Sequence, residues 1–235
     1  MSASQSKVSG APPGVSTLPA ADPDTTRVVL IRHGEAICNV RGVVGGHTGC
    51  TGLSPRGKRQ AEALRARLTE TGELAQAGAL YASVLARALE TGGIIAPAIG
   101  DGRALVEDCD LCELHPGEAD GLTWDEFRVR YGDPDFDVDP DTVVAPGGES
   151  WSSFVARASK AVTRVAEAHH GELVVIVCHA GVIESTMASF LPVAPGRGRL
   201  RLPTVHTSLT EWELGDGGWR LVRYNDAAHV RTLGD

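Results

Sequence analysis

Two apolar runs in this sequence each end in a histidine, and they constrain the fold more than any other feature. VVLI (28–31) leads into Arg32 and His33, and ELVVIVC (172–178) leads into His179. Such uninterrupted apolar runs are typical of strands that are buried on both faces of a parallel sheet. In these sheets, ligands bind where the strands end at their carboxyl edge. If the two strands are neighbours, both histidines lie in one crevice.

Helical patterns separate the buried strands. Ser54 and Pro55 are suited to open one helix that Gly72 ends, and Ser150 is suited to open another that Gly171 ends. The remaining predicted elements are a strand at 79–83, a helix from Ala86, a helix ending near Leu191 and a C-terminal hairpin around 215–218. Buried strands that alternate with helices predict an α/β fold, a three-layer α/β/α sandwich around a mostly parallel central sheet.

Composition and charge argue against several classes of partner. The chain is 42% hydrophobic and 22% charged, which is ordinary for a globular protein, and its formal net charge is −8. An acidic balance disfavours a broad nucleic-acid surface. No apolar run approaches the roughly 18 residues that a membrane helix needs. We therefore expect neither a nucleic-acid nor a membrane partner.

The ends of the chain differ in character from its middle. Residues 1–26 are rich in Ser, Pro, Gly and Ala without the apolar core of a secretory signal, and we predict a mostly disordered tail. No internal repeat or second hydrophobic block follows, so residues 27–235 are predicted to form a single domain. The odd number of cysteines, five, suits a reducing compartment, and we expect a cytoplasmic location.

Cys109 and Cys112 form a C-x-x-C pair. Zinc fingers combine such a pair with a second Cys or His pair at characteristic spacing, and no such pair follows here. We therefore interpret the two cysteines as ordinary thiols, with a structural zinc ion or a redox role as the alternative.

Arginines accompany the two histidines. Arg32 precedes His33, and Arg87 follows a predicted strand at the start of a helix, where free backbone N–H groups also favour anions. Each guanidinium can grip an anion through paired N–H donors. Together with His179 they suit a phosphate, which has enough oxygens to use all of these donors. The simpler alternatives are histidines that cap their strands and an Arg87 that pairs with Glu90 on a helix surface.

Six segments resemble, in order, the motifs of the histidine phosphatase superfamily, which includes the cofactor-dependent phosphoglycerate mutases. RHGEAICN (32–39) resembles its signature R-H-G-E-x-x-x-N. The others are LSPRGKRQA (53–61), SVLARALET (83–91), CELHPGEADGLT (112–123), APGGES (145–150) and CHAG (178–181). The resemblance covers about residues 27–225. It implies a phosphoglycerate mutase-like fold and one histidine phosphatase-like catalytic domain in 27–235.

The resemblance assigns roles to individual residues. It implies that His33 is the nucleophile and forms a transient phosphohistidine. Arg32, Arg87 and His179 are assigned to the phosphate, with Asn39 as a neutral donor. Guanidiniums beside an imidazole oppose its protonation, which keeps it nucleophilic, and they stabilise charge on the phosphoryl oxygens.

The resemblance places Glu113 at the position of the general acid. It must be protonated when the ester breaks, so we expect its pKa to be raised by partial burial or by the bound phosphate. The neighbouring Glu118 and Asp120 are interpreted as exposed loop acids. No metal or other cofactor is expected, because the arginines supply the positive charge that a metal ion otherwise would.

Three functions remain open at this stage. In the mutases the acid loop resembles N-E-R-H-Y-G, whereas here it is CELHPG (112–117), and the loss of the Arg and Tyr positions favours hydrolysis of a small-molecule phosphate ester. His115 matches the mutase pattern, so mutase-type phosphoryl transfer is the alternative. A non-catalytic module that binds a phosphorylated ligand is the third. The sequence leaves open the physiological substrate, the oligomeric state and the roles of Glu35 and His47.

Overall fold

The computed structural model describes residues 24–100, 102–191, 202–231 and 233. The strands are β1 (Thr26–Arg32), β2 (Ala79–Ala82), β3 (Leu105–Glu107), β4 (Leu173–Cys178), β5 (Leu209–Gly215) and β6 (Gly218–Asp226). The helices are α1 (Ile37–Arg41), α2 (Pro55–Thr71), α3 (Ala86–Ile95), α4 (Trp124–Tyr131), α5 (Trp151–Ala168) and α6 (Ala180–Phe190).

The strands form one six-stranded sheet in the order β3-β2-β4-β1-β5-β6. The first four in this order run parallel to one another, and β5 and β6 form the predicted antiparallel hairpin. Strands β1 and β4 are direct neighbours, with Arg32 in register with Cys178. The backbone N–H of His33 donates to the carbonyl of Cys178 at 2.9 Å. The two apolar runs therefore end side by side, as the sequence predicts.

Helices cover both faces of the sheet. Val28 and Leu30 of β1 pack in one core with residues of α5 and α6, such as Phe154. The alternate residues Val29 and Ile31 pack in a second core with α2 and neighbouring elements. Because both faces of the strand are buried, its sequence is apolar throughout rather than alternating. The predicted three-layer α/β/α sandwich is confirmed.

Local signals set most of the helix boundaries. The Ser54 hydroxyl accepts a hydrogen bond from the backbone N–H three residues on and caps α2, and Gly72 ends this helix at φ 65°. Helix α5 ends at Ala168, before the predicted Gly171, whose N–H donates to the Thr26 hydroxyl at the start of β1. Within the described residues, no helix combines the length and apolar character needed to cross a membrane.

Some features differ from the sequence prediction. Strand β1 starts at Thr26, one residue early, because Thr26 is buried and pairs with Leu214 of β5. Residues 1–23 of the predicted tail lie outside the described residues. The sequence reading missed three short elements, α1, β3 and α4. Only α4 carries a clear local signal, a capping box formed by Thr123 and Glu126.

The central strand is expected to dominate stability. Leu30 is fully buried in β1, so Leu30→Ala should lower the free energy of unfolding by about 3 kcal/mol, through lost burial and the cavity left behind. The measurement is urea denaturation followed by circular dichroism. Val129→Ala is the control: this side chain is 89% exposed, and the change should cost less than about 0.5 kcal/mol. Equal losses in both variants would contradict the assignment of the core.

Candidate active site

A cavity of about 410 Å³ opens at the carboxyl edge of the sheet. Most of the predicted site residues line it: Arg32, His33, Asn39, Arg87 and Glu113. His179 lies directly behind them, with its ring centroid 5.1 Å from that of His33. The structure therefore brings all six predicted residues to one site.

Arg87 connects the two histidines. Its Nε lies 3.1 Å from Nε2 of His33 and 3.2 Å from Nδ1 of His179, so one N–H group is shared between two imidazoles. One of its terminal nitrogens donates to the carbonyl of Gly45 at 2.6 Å. His33 is 3% exposed, His179 is fully buried and Arg87 is 4% exposed. The surface ion pair between Arg87 and Glu90, the simpler alternative, is not formed. Glu90 instead accepts from the backbone N–H of Leu53, in the segment before α2.

The hydrogen bonds define which ring nitrogen carries the proton. Nδ1 of His33 lies 2.7 Å from the carbonyl of Gly34, and since a carbonyl only accepts, this nitrogen is protonated. Nε2 of His33 then keeps its lone pair. Nδ1 of His179 accepts from Arg87, so its Nε2 carries a hydrogen and donates to the hydroxyl of Ser83 at 2.7 Å. Both lone pairs face Arg87, but of the two rings only that of His33 lines the cavity, so Nε2 of His33 is the nitrogen that a bound ligand can reach.

Both imidazoles are held neutral. Burial, followed by the nearby charge of Arg87, lowers the pKa of His33 well below its usual 6.5. The same two causes lower the pKa of His179. Near neutral pH both rings are therefore uncharged, each with one N–H group and one lone pair, as a nucleophilic role for His33 requires.

Arg32 has an unsatisfied donor. One of its terminal nitrogens donates to the carbonyl of Thr204, but its Nε is buried without a partner among the described residues. Burial lowers the pKa of this guanidinium, while the carboxylate of Glu113 opposes the shift. An unpaired buried N–H costs about 1–3 kcal/mol. A bound oxyanion would supply the missing acceptor.

Asn39 lies on α1 and lines the cavity. Its side-chain oxygen accepts from the backbone N–H of Ala36 at 3.0 Å. The oxygen is thereby used inside the protein, and the amide nitrogen is the group that can serve as a neutral donor to a ligand. The predicted role of Asn39 is compatible with this orientation.

Glu113 is held by two backbone donors. Its carboxylate accepts from the N–H of Gly181 and from that of Leu114, each at 3.1 Å. A Cβ at position 181 would lie only 2.2 Å from the Glu113 carboxylate, so the glycine of the CHAG segment gives this side chain its space. Nearby Glu184 has a raised pKa, through burial and then the charge of Glu113. The two backbone donors therefore fix the Glu113 carboxylate at the cavity that Arg32 also lines.

The sequence reading missed His206 as a site residue. Its ring centroid lies 5.6 Å from that of His33, and its Nε2 is buried without a partner among the described residues. Burial, and then the charge of Arg32, lowers its pKa to about 3. The next residue, Thr207, has φ 61° and donates its N–H to the carbonyl of Arg32. No local sequence pattern marks this contact, because it joins segments that are far apart in the chain.

Three further acids lie near the site in sequence, and none of them lines the cavity. Glu35 accepts from the Ser54 hydroxyl at 2.6 Å, so it supports the start of α2. Asp120 is not the exposed loop acid that the sequence suggested: its carboxylate accepts from the backbone N–H groups of Gly46, Thr48 and Gly49 at 2.8, 2.7 and 2.9 Å. Glu118 is exposed, as expected.

The fold and this site define an α/β enzyme that acts on phosphate esters, and comparisons show its family. The chain belongs to the histidine phosphatase superfamily: the family model described as "Histidine phosphatase superfamily (branch 1)" matches residues 28–227. The expected relationship is therefore confirmed, and the protein is a phosphoric monoester hydrolase.

The chain is similar to two plant proteins and to a bacterial structure. It is 31% identical to phosphoglycerate mutase-like protein 4 of Arabidopsis thaliana, over 91% of this chain and 90% of the relative. It is 30% identical to a metal-independent phosphoserine phosphatase of the same organism, over 90% and 86%. The solved structure of Bacillus stearothermophilus YhfR has a TM-score of 0.74 and 32% identity, covering 88% of this chain and all of that one.

Neutral buried histidines predict a pH-dependent stability. Because the pKa of His33, of His179 and of His206 is lower in the folded than in the unfolded state, the unfolded state binds more protons below pH 6.5. The free energy of unfolding should therefore fall as pH drops from 7.5 to 5, by roughly 1 kcal/mol per pH unit for each such histidine. His206→Asn should flatten this slope in urea denaturation, and His170→Asn, an exposed control, should not. Identical slopes in all variants would contradict the prediction.

Proposed function

We propose that this enzyme hydrolyses a small-molecule phosphomonoester without a catalytic metal, through a phosphohistidine on Nε2 of His33. The observation that carries the proposal is the neutral His33 imidazole. Its Nδ1 proton is directed to the carbonyl of Gly34, and its Nε2 lies 3.1 Å from Nε of Arg87. This arrangement supports one phosphorylated nitrogen with a guanidinium beside it.

The reaction has two steps. In the first, the Nε2 lone pair of His33 attacks phosphorus, the P–O ester bond breaks, and the leaving alkoxide takes a proton from Glu113. In the second, the Glu113 carboxylate takes a proton from water as that water attacks phosphorus, and the N–P bond breaks. Inorganic phosphate leaves, and His33 returns to its neutral form.

Positive charge and donors serve the transferring phosphoryl group. Arg32 supplies its unpaired Nε, and Arg87 supplies its guanidinium, whose Nε lies 3.1 Å from Nε2 of His33. Asn39 adds the neutral donor of its amide nitrogen, and His206 presents its buried Nε2. Both ring nitrogens of His179 are already bonded, to Arg87 and to Ser83, so His179 acts by positioning Arg87. Such preorganised donors stabilise the charge spread over the phosphoryl oxygens in the transition state. In this mechanism the arginines take the place that a metal ion fills in other phosphatases.

The cavity wall favours hydrolysis of an ester with an apolar organic part. Apart from the residues assigned to the phosphate, the cavity wall is largely apolar and includes Trp124, Phe127, Phe136 and Trp151. Among the described lining residues, Arg32 and Arg87 are the only cations, and both are assigned to the phosphate.

Mutase-type transfer is the second candidate, favoured by the similarity to the phosphoglycerate mutase-like protein. His115, which matches the mutase pattern, does not line the cavity; its backbone N–H and its ring are both directed to Glu149. A non-catalytic binding module is disfavoured, because binding alone does not require a neutral nucleophile with its second nitrogen held by a carbonyl.

A substrate panel tests the proposal. Purified protein should release phosphate from aryl and alkyl phosphates with a kcat/KM at least tenfold above that for phosphoserine or 3-phosphoglycerate. His33→Ala should lower turnover by at least about 10³-fold and abolish acid-labile phosphate labelling. Isomerisation of 3-phosphoglycerate in the presence of 2,3-bisphosphoglycerate is measured in parallel. Isomerisation faster than phosphate release, or labelling that persists in His33→Ala, would refute the proposal.

Glu113→Gln separates the acid role from binding. Alkyl phosphates have poor leaving groups that need a proton, so their kcat should fall by about 10²–10³-fold. Aryl phosphates leave more readily, and their kcat should fall by less than about tenfold. Rates for both classes are compared with Glu118→Gln, an exposed acid on the same loop, which should match the unmodified enzyme. An equal loss on both substrate classes would count against Glu113 as the proton donor.

A further inference from the structure

Four potential metal ligands meet beside the active site, and the mechanism uses none of them. They are His47, Cys109, Cys112 and His115, which we name the tetrad. One ligand atom from each residue lies within 4.8 Å of all the others. His47 comes from the glycine-rich loop 42–52, which we name the rim loop. The other three flank Glu113 on the segment 109–122, which contains CELHPG and which we name the acid loop.

The spacing within the tetrad is close to that of a tetrahedral metal site. The two sulfurs are 3.6 Å apart, and the Cys109 sulfur lies 3.9 Å from Nε2 of His47 and 3.9 Å from Nε2 of His115. A tetrahedral zinc ion, with bonds of about 2.3 Å to sulfur and 2.0 Å to nitrogen, requires separations of about 3.8 Å and 3.5 Å. These three separations differ from the tetrahedral values by about 0.2–0.4 Å, and the remaining pairs of ligand atoms lie within 4.8 Å.

Second contacts orient the ligands as in known metal sites. The His115 ring presents Nε2 to the tetrad, and its other nitrogen, Nδ1, lies 3.5 Å from the Glu149 carboxylate. Arg157 holds that carboxylate through two hydrogen bonds of 2.7 Å. On the opposite side, the Ser83 hydroxyl donates to the Cys112 sulfur at 3.3 Å. A carboxylate behind a ligating histidine and a donor to a thiolate are the outer contacts that a bound metal ion favours.

The two loops are already joined next to the tetrad. The Asp120 carboxylate binds three N–H groups on both sides of His47, and the N–H of Val44 donates to the carbonyl of Leu122 at 2.8 Å. His47 is therefore held near the C-x-x-C pair before any ligand binds. Such preorganisation lowers the entropy cost of assembling a site.

From these contacts we propose that the tetrad is a structural zinc site that ties the rim loop to the acid loop. Zn²⁺ replaces the thiol protons of Cys109 and Cys112, which pass to solvent, and takes the lone pairs of two neutral imidazoles. Two thiolates balance the charge of the ion. His47 and Cys109 are exposed and admit the ion, whereas Cys112 is buried.

The site supports the active site without joining the chemistry. Cys112 is adjacent to Glu113, so the ion anchors the segment that carries the proton donor. The Cys112 thiolate also accepts from Ser83, whose oxygen in turn accepts from Nε2 of His179. Metal binding thereby maintains the tautomer of His179 that accepts from Arg87.

Metal analysis of the full, tag-free chain tests the proposal independently of turnover. Protein from zinc-supplemented cells should contain about one Zn²⁺ per chain, with a dissociation constant below about 1 µM. Cobalt-loaded protein should show the intense visible bands of tetrahedral Co²⁺ together with thiolate-to-cobalt charge transfer. Cys109→Ser and His47→Ala should each lose the ion, and His170→Ala, which removes an exposed histidine elsewhere, should retain it.

Folding and competing chemistry are controlled in the same preparations. Near-ultraviolet circular dichroism should show that both exposed variants remain folded. Chelation should lower the Tm of the unmodified protein by several degrees and leave that of Cys109→Ser unchanged. Zinc far below one per chain with no tetrahedral cobalt spectrum would overturn the proposal. A Cys109–Cys112 disulfide as the main species in protein made in a reducing cytosol would also overturn it, as would full zinc content in both variants.

Discussion

The active site depends on one guanidinium shared between two buried imidazoles. Nε of Arg87 reaches Nε2 of His33 and Nδ1 of His179 at nearly equal distances, from the first turn of a helix that the sheet positions. Burial, and then the charge of Arg87, lowers the pKa of both rings and keeps them neutral, and the shared N–H orients their lone pairs inwards. Strand β4 beside β1, the serine behind His179 and the packing of α3 all serve this contact. Without it, the two lone pairs would lack the shared donor that orients them.

The site carries unsatisfied polar groups that the rest of the fold offsets. Nε of Arg32 and Nε2 of His206 are buried without partners in the described part of the chain, and Thr207 has a left-handed backbone. Each such feature costs about 1–3 kcal/mol. Two cores, one on each face of the sheet, supply the compensating burial. An oxyanion would satisfy the Nε–H group of Arg32, which supports the phosphate-binding role proposed for this residue.

The loops around the cavity form a second layer of organisation. The Asp120 carboxylate fixes the rim loop by accepting from its backbone N–H groups. Glu149, held by Arg157, fixes the acid loop by accepting from a backbone N–H of that loop. These contacts place Glu113 at the cavity beside the imidazoles rather than in solvent. Under the proposed zinc site, the same two loops are joined a second time, directly behind the proton donor. Rigid loops of this kind suit the proton transfer that is proposed for Glu113.

Local sequence predicted the strands other than β3, most helix boundaries and the six residues that meet at the cavity. The apolar runs before His33 and His179, the cap at Ser54 and the arginine beside a helix start all act through neighbouring residues. Tertiary structure alone decided the rest. His206, and the approach of His47 to Cys109, depend on contacts between segments far apart in the chain. Spacing within a segment carries no record of which loops meet, because that is decided by how the sheet and its two helical layers pack.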